Sequence, residues 1–201
     1  MGIGNTTPQV FIIESLRLED EEHERFEGRI LKQILRLSGK ESAYYYIRTR
    51  RELEQIAKVF SKSGFRYLHL SCHGSATTMA TTFDPLNFAD VGQILRPHLN
   101  GRRVFVSACE MANPRLATEL IKGSGCYSVI GPAESVLFSD AALLWSCFYH
   151  LAFRTNDKVM QRKWVLEHLR STSKLFQVHM NYFSASESQG IRATVVKPGA
   201  A

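Results

Sequence analysis

Between Gln9 and Ile130 the chain alternates between short apolar runs of strand length and longer segments with helical spacing. The strand-like runs are Gln9–Glu14, Ala43–Thr49, Tyr67–Cys72, Arg102–Ala108 and Tyr127–Ile130. Between them lie helical patterns at Glu19–Leu37, Arg51–Lys62, Phe88–Leu99 and from Asn113 to about Lys122. In the first of these, Phe26, Ile30, Ile34 and Leu37 share one face, the acids Glu19 to Glu22 occupy the first turn, and Lys32 and Arg36 lie near the end. That charge order complements a helix dipole. Asn113-Pro114 is a strong helix start, a capping side chain followed by proline at the first helical position. Ser139–Phe153 and Asp157–Arg170 read as two further helices, and Leu175–Tyr182 with Ile191–Val196 as a pair of strands around a Ser-rich turn. Strands alternating with helices predict an α/β fold, a mainly parallel sheet with helices on both faces.

The 201 residues suit a single domain over 1–201 with short loose tails, and 44% hydrophobic residues suffice for a substantial core. The net charge is +6, but the basic residues are scattered and match no nucleic-acid motif, so direct nucleic-acid binding is not expected. The four cysteines include no C-x-x-C pair and follow no secretory leader, which points to free thiols in a reducing cytoplasm. The apolar stretch Ala141–Phe153 is interrupted by Ser146 and His150 and is too short to span a bilayer, so no membrane partner is expected. A metal site built on Cys72, His73 and Cys109 would lack a fourth ligand, and no metal or cofactor is expected. His69 and Cys72 read as strand interior, Cys126 and Cys147 as packing residues, and Ser75–Phe83 as a hairpin or flap.

Two strand ends carry the chemistry. Tyr67-Leu68-His69-Leu70-Ser71-Cys72 runs into His73-Gly74, and Val104-Phe105-Val106-Ser107-Ala108 runs into Cys109-Glu110. In open parallel sheets, sites form at the C-terminal strand ends near the point where strand order reverses. The segment between His73 and Cys109 is long enough for a loop and one right-handed crossover helix, so the two strands are expected to be neighbours, about 5 Å apart. An imidazole beside a thiol is the minimum equipment for nucleophilic catalysis by cysteine.

In this order and strand context the two motifs resemble the caspase-like (clan CD) cysteine peptidases, and most closely the CHAT family. The segments Tyr127-Ser128-Val129-Ile130-Gly131-Pro132, Ser139-Asp140 and Phe148-Tyr149-His150-Leu151 are similar to that family's fifth strand and following helix. The resemblance implies a three-layer αβα fold with strand order 2-1-3-4-5 plus the C-terminal strands. It makes Cys109 the nucleophile and His73 the general base and acid, with the backbone N–H groups of Gly74 and Cys109 as the oxyanion hole. The implied activity is peptide-bond hydrolysis of a protein substrate, switched on by a separate sensor or adaptor, consistent with an antiviral defence role. The position two before the cysteine lines the primary specificity pocket in this fold. Ser107 stands there rather than an acid, which argues against a basic P1 residue, and Arg17 after the first strand is a candidate for favouring an acidic one. Pro132-Ala133-Glu134-Ser135 replaces the aromatic stretch common after the fifth strand, and the chain is expected to stand alone. A catalytically silent interaction module of the same fold is the alternative.

Overall fold

The computed structural model describes residues 6–186 and 190–199. The chain begins with β1 (Thr7–Ser15), α1 (Leu18–Glu22), α2 (Glu27–Leu37), β2 (Ser42–Tyr46), α3 (Arg50–Ser63) and β3 (Phe65–Gly74). A small hairpin, β4 (Thr78–Ala80) and β5 (Pro85–Asn87), leads into α4 (Phe88–Leu95) and β6 (Arg103–Ser107). Then follow α5 (Pro114–Ile121), β7 (Ser128–Pro132), α6 (Phe138–Thr155), α7 (Arg162–Phe176), β8 (Met180–Ser186) and β9 (Gly190–Val196).

One sheet runs in the order β2-β1-β3-β6-β7-β8-β9, and β4 and β5 extend from the end of β3. The first five of these strands are parallel; β7/β8 and β8/β9 are antiparallel. The strands between helices read as near-continuous apolar runs because both faces are covered. In β1, Phe11 and Ile13 enter one core with α3, α4 and α5, whereas Val10 and Ile12 enter the other with α2, α6 and α7. Strand order reverses between β1 and β3, since the chain moves outward to β2 before returning.

The expected α/β class and parallel sheet are present, with three differences. The helix expected over Glu19–Leu37 is two helices. His23, Glu24 and Arg25 are exposed and offer nothing to the core, and the chain turns there with Glu24 at φ 53° and the Arg25 N–H bonded to the Asp20 carbonyl. The helix expected at Asp157–Arg170 starts later, at Arg162. Asn156 Oδ1 accepts from the backbone of Lys158 and Val159, and the Met160 N–H donates to Tyr67 Oη at 3.0 Å, so this stretch is tied down as a loop. The strand expected from Leu175 begins at Met180, after Gln177 turns the chain at φ 55°. The first five and last two residues of the expected tails, and residues 187–189 of the Ser-rich turn, lie outside the described residues. Among the described residues no helix is long and apolar enough to cross a membrane.

Candidate active site

Strands β3 and β6 are paired from Tyr67↔Arg103 to Ser71↔Ser107. His73 and Cys109 therefore lie two positions beyond the same register pair. Paired residues in parallel strands face the same side, and that side alternates with period two. Both groups line one cavity of about 50 Å³, floored by Glu27, Ser71 and Ser107. This is room for a few water molecules or the tip of a side chain, not for a peptide.

His73 is 28% exposed, and its Nε2 lies 2.6 Å from Oδ2 of Asp20, a residue of α1. Asp20 is nearly buried and also accepts from Arg25 at 3.0 Å. Burial works against its ionisation, but the hydrogen bonds from His73 and Arg25 outweigh burial and hold the carboxyl below its ordinary range. An ionised carboxylate only accepts, so Nε2 carries the proton and Nδ1 keeps its lone pair. Nothing in the sequence singled out Asp20. It sat in an acidic run that reads as a solvated helix start, and only the early end of α1 turns it onto the imidazole.

Cys109 follows β6 in a tight turn. Glu110 adopts φ 57°, a left-handed conformation that costs a non-glycine residue on the order of 1 kcal/mol. Asn113 holds that turn: its Nδ2 donates to the Glu110 carbonyl at 2.9 Å, while its Oδ1 caps α5 by accepting from Arg115 and Leu116. The cap expected from Asn113-Pro114 thus also fixes the backbone after the cysteine.

Gly74 lies opposite Met79 of β4, and the next pair is joined by the Ser75 N–H to the Thr78 carbonyl. Hydrogen-bonded and open pairs alternate in an antiparallel ladder, so the Gly74 N–H points away from β4. The hairpin lies on the β1 side, where the Thr82 N–H bonds Ser15 Oγ at 3.0 Å. The Gly74 N–H therefore faces the side of β3 on which Cys109 lies. Glycine is required for packing as well, since a Cβ there would overlap the Met111 side chain.

Below the pair lies a buried polar cluster. Glu27, the first residue of α2, accepts from Ser107 Oγ at 2.8 Å and Ser71 Oγ at 3.3 Å, and its Oε1 lies 3.1 Å from His69 Nε2. Glu14 of β1 accepts from the Gly28 N–H and Tyr44 Oη, each at 2.7 Å, and competes with Glu27 for the single Ser71 hydroxyl hydrogen at 3.2 Å. Burial, reinforced by the neighbouring Glu27, pushes the Glu14 carboxyl up to about 7. Ser107 is thus a buried donor to Glu27, whereas Arg17 is exposed and is not among the cavity's lining residues. Cys72 and Cys126 are buried, and burial raises both thiols, Cys126 to about 12.

A strap from β7 to α6 lines one side of the cavity through Val136. The Cys109 thiol faces the Val136 carbonyl at 3.9 Å, and no hydrogen bond joins it to the imidazole. The strap is latched to the sheet by Glu134 Oε1, which accepts from the His179 backbone and pairs with its ring, each at 2.8 Å. The His179 N–H and imidazole hold the Glu134 carboxyl below its ordinary range, so the latch is complete above that range and is lost as pH falls through the lower folded value. At neutral pH, Glu134→Ala is expected to speed alkylation of Cys109 by iodoacetamide about three- to tenfold, read by intact mass. An unchanged rate would mean that this pair does not hold the strap.

Among the described residues no group of three or more His, Cys, Asp or Glu is arranged to hold a metal ion. Comparison of the chain with protein-family models and with curated proteins finds no match in either.

Proposed function

We propose that this chain is a caspase-like cysteine endopeptidase with Cys109 as nucleophile and His73 as general base and acid. The observation that carries the reading is the register of β3 and β6, which sets both residues at the mouth of one cavity while Asp20 holds the imidazole by Nε2. Nδ1 takes the thiol proton, and the sulfur attacks the scissile carbonyl carbon. The carbonyl oxygen gains the negative charge, which the Gly74 and Cys109 N–H groups stabilise. Collapse expels the amine, protonated by His73, and leaves a thioester on Cys109. Water, deprotonated by the same imidazole, attacks the thioester and releases the carboxylic acid and free thiol.

The thiol is turned toward the Val136 carbonyl, and displacement of the strap is the step that turns it to a substrate. This supports activation by a separate sensor or adaptor protein, in keeping with a defence role. It also favours a second reading, a silent module in which the strap never opens. Sequencing of new protein N-termini in cells expressing the wild-type chain or Cys109→Ala separates the two. Termini that appear with wild type alone are the expected result, and identical termini from both chains would overturn the peptidase reading.

A further inference from the structure

We infer that the cavity beneath Cys109 is the primary specificity pocket of this enzyme and that Glu27 makes it select lysine or arginine at P1. The inference rests on the peptidase reading above and deepens it.

Among the described residues Glu27 is the only carboxylate that lines the cavity. Ser107 turns its hydroxyl hydrogen onto it, and Ser71 shares its single hydrogen between Glu27 and Glu14, so neither hydroxyl has a hydrogen left for the cavity. The floor therefore presents oxygen lone pairs rather than donors. A carboxylate has about four acceptor positions. His69 and Ser107 engage two and Ser71 at most part of a third, which leaves capacity for a charged donor arriving from the mouth. An acidic P1 side chain would meet a carboxylate and two oxygens with no hydrogen to offer; an ammonium or guanidinium group would meet acceptors throughout.

The walls are apolar. Pro132, Val136, Phe138 and Ala141 stand between floor and mouth. Lysine and arginine carry three or four methylenes below their charge, so an apolar wall with an acceptor floor matches their division into stem and head. The electrostatics of the floor agree. Glu14 lies behind Ser71, and the two acids are close enough that burial beside Glu27 drives Glu14 toward its neutral form. A cation entering the pocket relieves that repulsion. The cavity is small, about 50 Å³, so the side chain enters with the same displacement of Val136 that frees the thiol.

This reverses the expectation drawn from Ser107. The position two before the cysteine lacks an acid of its own, but its hydroxyl holds an acid delivered by α2.

The test uses tripeptidyl acyloxymethyl ketones that differ only at P1, carrying Arg, Lys, Leu, Asn or Asp, with Cys109 labelling of the full chain followed by intact mass. The Arg and Lys probes are expected to label at least about tenfold faster than Leu, with Asp slowest. Glu27→Gln, checked for folding by circular dichroism, is expected to narrow that preference about tenfold. The wild-type series decides without the variant. Labelling by Leu, Asn or Asp as fast as by the basic probes would overturn the specificity assignment and leave the peptidase standing. Failure of every peptide probe on both the wild-type chain and the strap-released Glu134→Ala variant, with Cys109 still alkylated by iodoacetamide, would overturn the peptidase reading and the pocket together.

Discussion

His73→Ala is expected to slow labelling of Cys109 by a peptide electrophile by about a thousandfold or more, and proteolysis with it. The effect is large because one side chain serves both half-reactions, removing the thiol proton and then protonating the leaving amine. The structural cost is small by comparison. His73 is partly exposed, sits at a strand end, and among the described residues its side chain hydrogen-bonds Asp20 alone. Activity should therefore fall far more than stability, which loses the Asp20 pair and little else, as chemical denaturation measures. A variant that unfolds as wild type yet labels at the wild-type rate would remove His73 from the mechanism.

Asp20→Asn is expected to cost about a hundredfold in the same assay. Asparagine preserves the shape but presents an amide whose N–H can donate to Nε2. The ring proton then moves to Nδ1, the nitrogen that must accept from the thiol. Asp20 acts through His73 and is a positioning residue, so its loss has a signature beyond rate. The loss should fall on the labelling rate at saturating probe and leave the half-saturating probe concentration unchanged, because the tautomer has changed and the binding surface has not. The pair also leaves a mark on stability. Asp20 is held below its ordinary range in the folded state, so its contribution is full above about pH 4 and is lost as pH falls through the lower folded value. A saturating rate equal to that of wild type would show Asp20 to be structural only.

Much of this was legible in the chain before folding, for local reasons. Strand-length apolar runs between amphipathic segments specify a parallel sheet because each buried strand needs both faces covered, and β1, β3 and β6 appear where those runs lie. The cap at Asn113 was equally plain, since a side-chain acceptor followed by proline satisfies orphan helix N–H groups wherever it occurs. Helix boundaries set by distant partners were not. The delayed start of α7 depends on Tyr67 receiving the Met160 N–H from 93 residues away, a contact that leaves no local signal.

By itself, the sequence determined that His73 and Cys109 end two strands of one parallel sheet. Period-two alternation and a crossover of adequate length suffice for that. Only the tertiary structure decided what surrounds them. The break between α1 and α2 aims Asp20 at the imidazole and sets Glu27 under Ser107, although in the sequence Asp20 belongs to the charged start of a single helix and Glu27 falls inside it. The strand ends follow from short-range hydrophobic pattern. The carboxylates follow from burial and hydrogen bonding across elements 53 and 80 residues apart, which no local periodicity encodes.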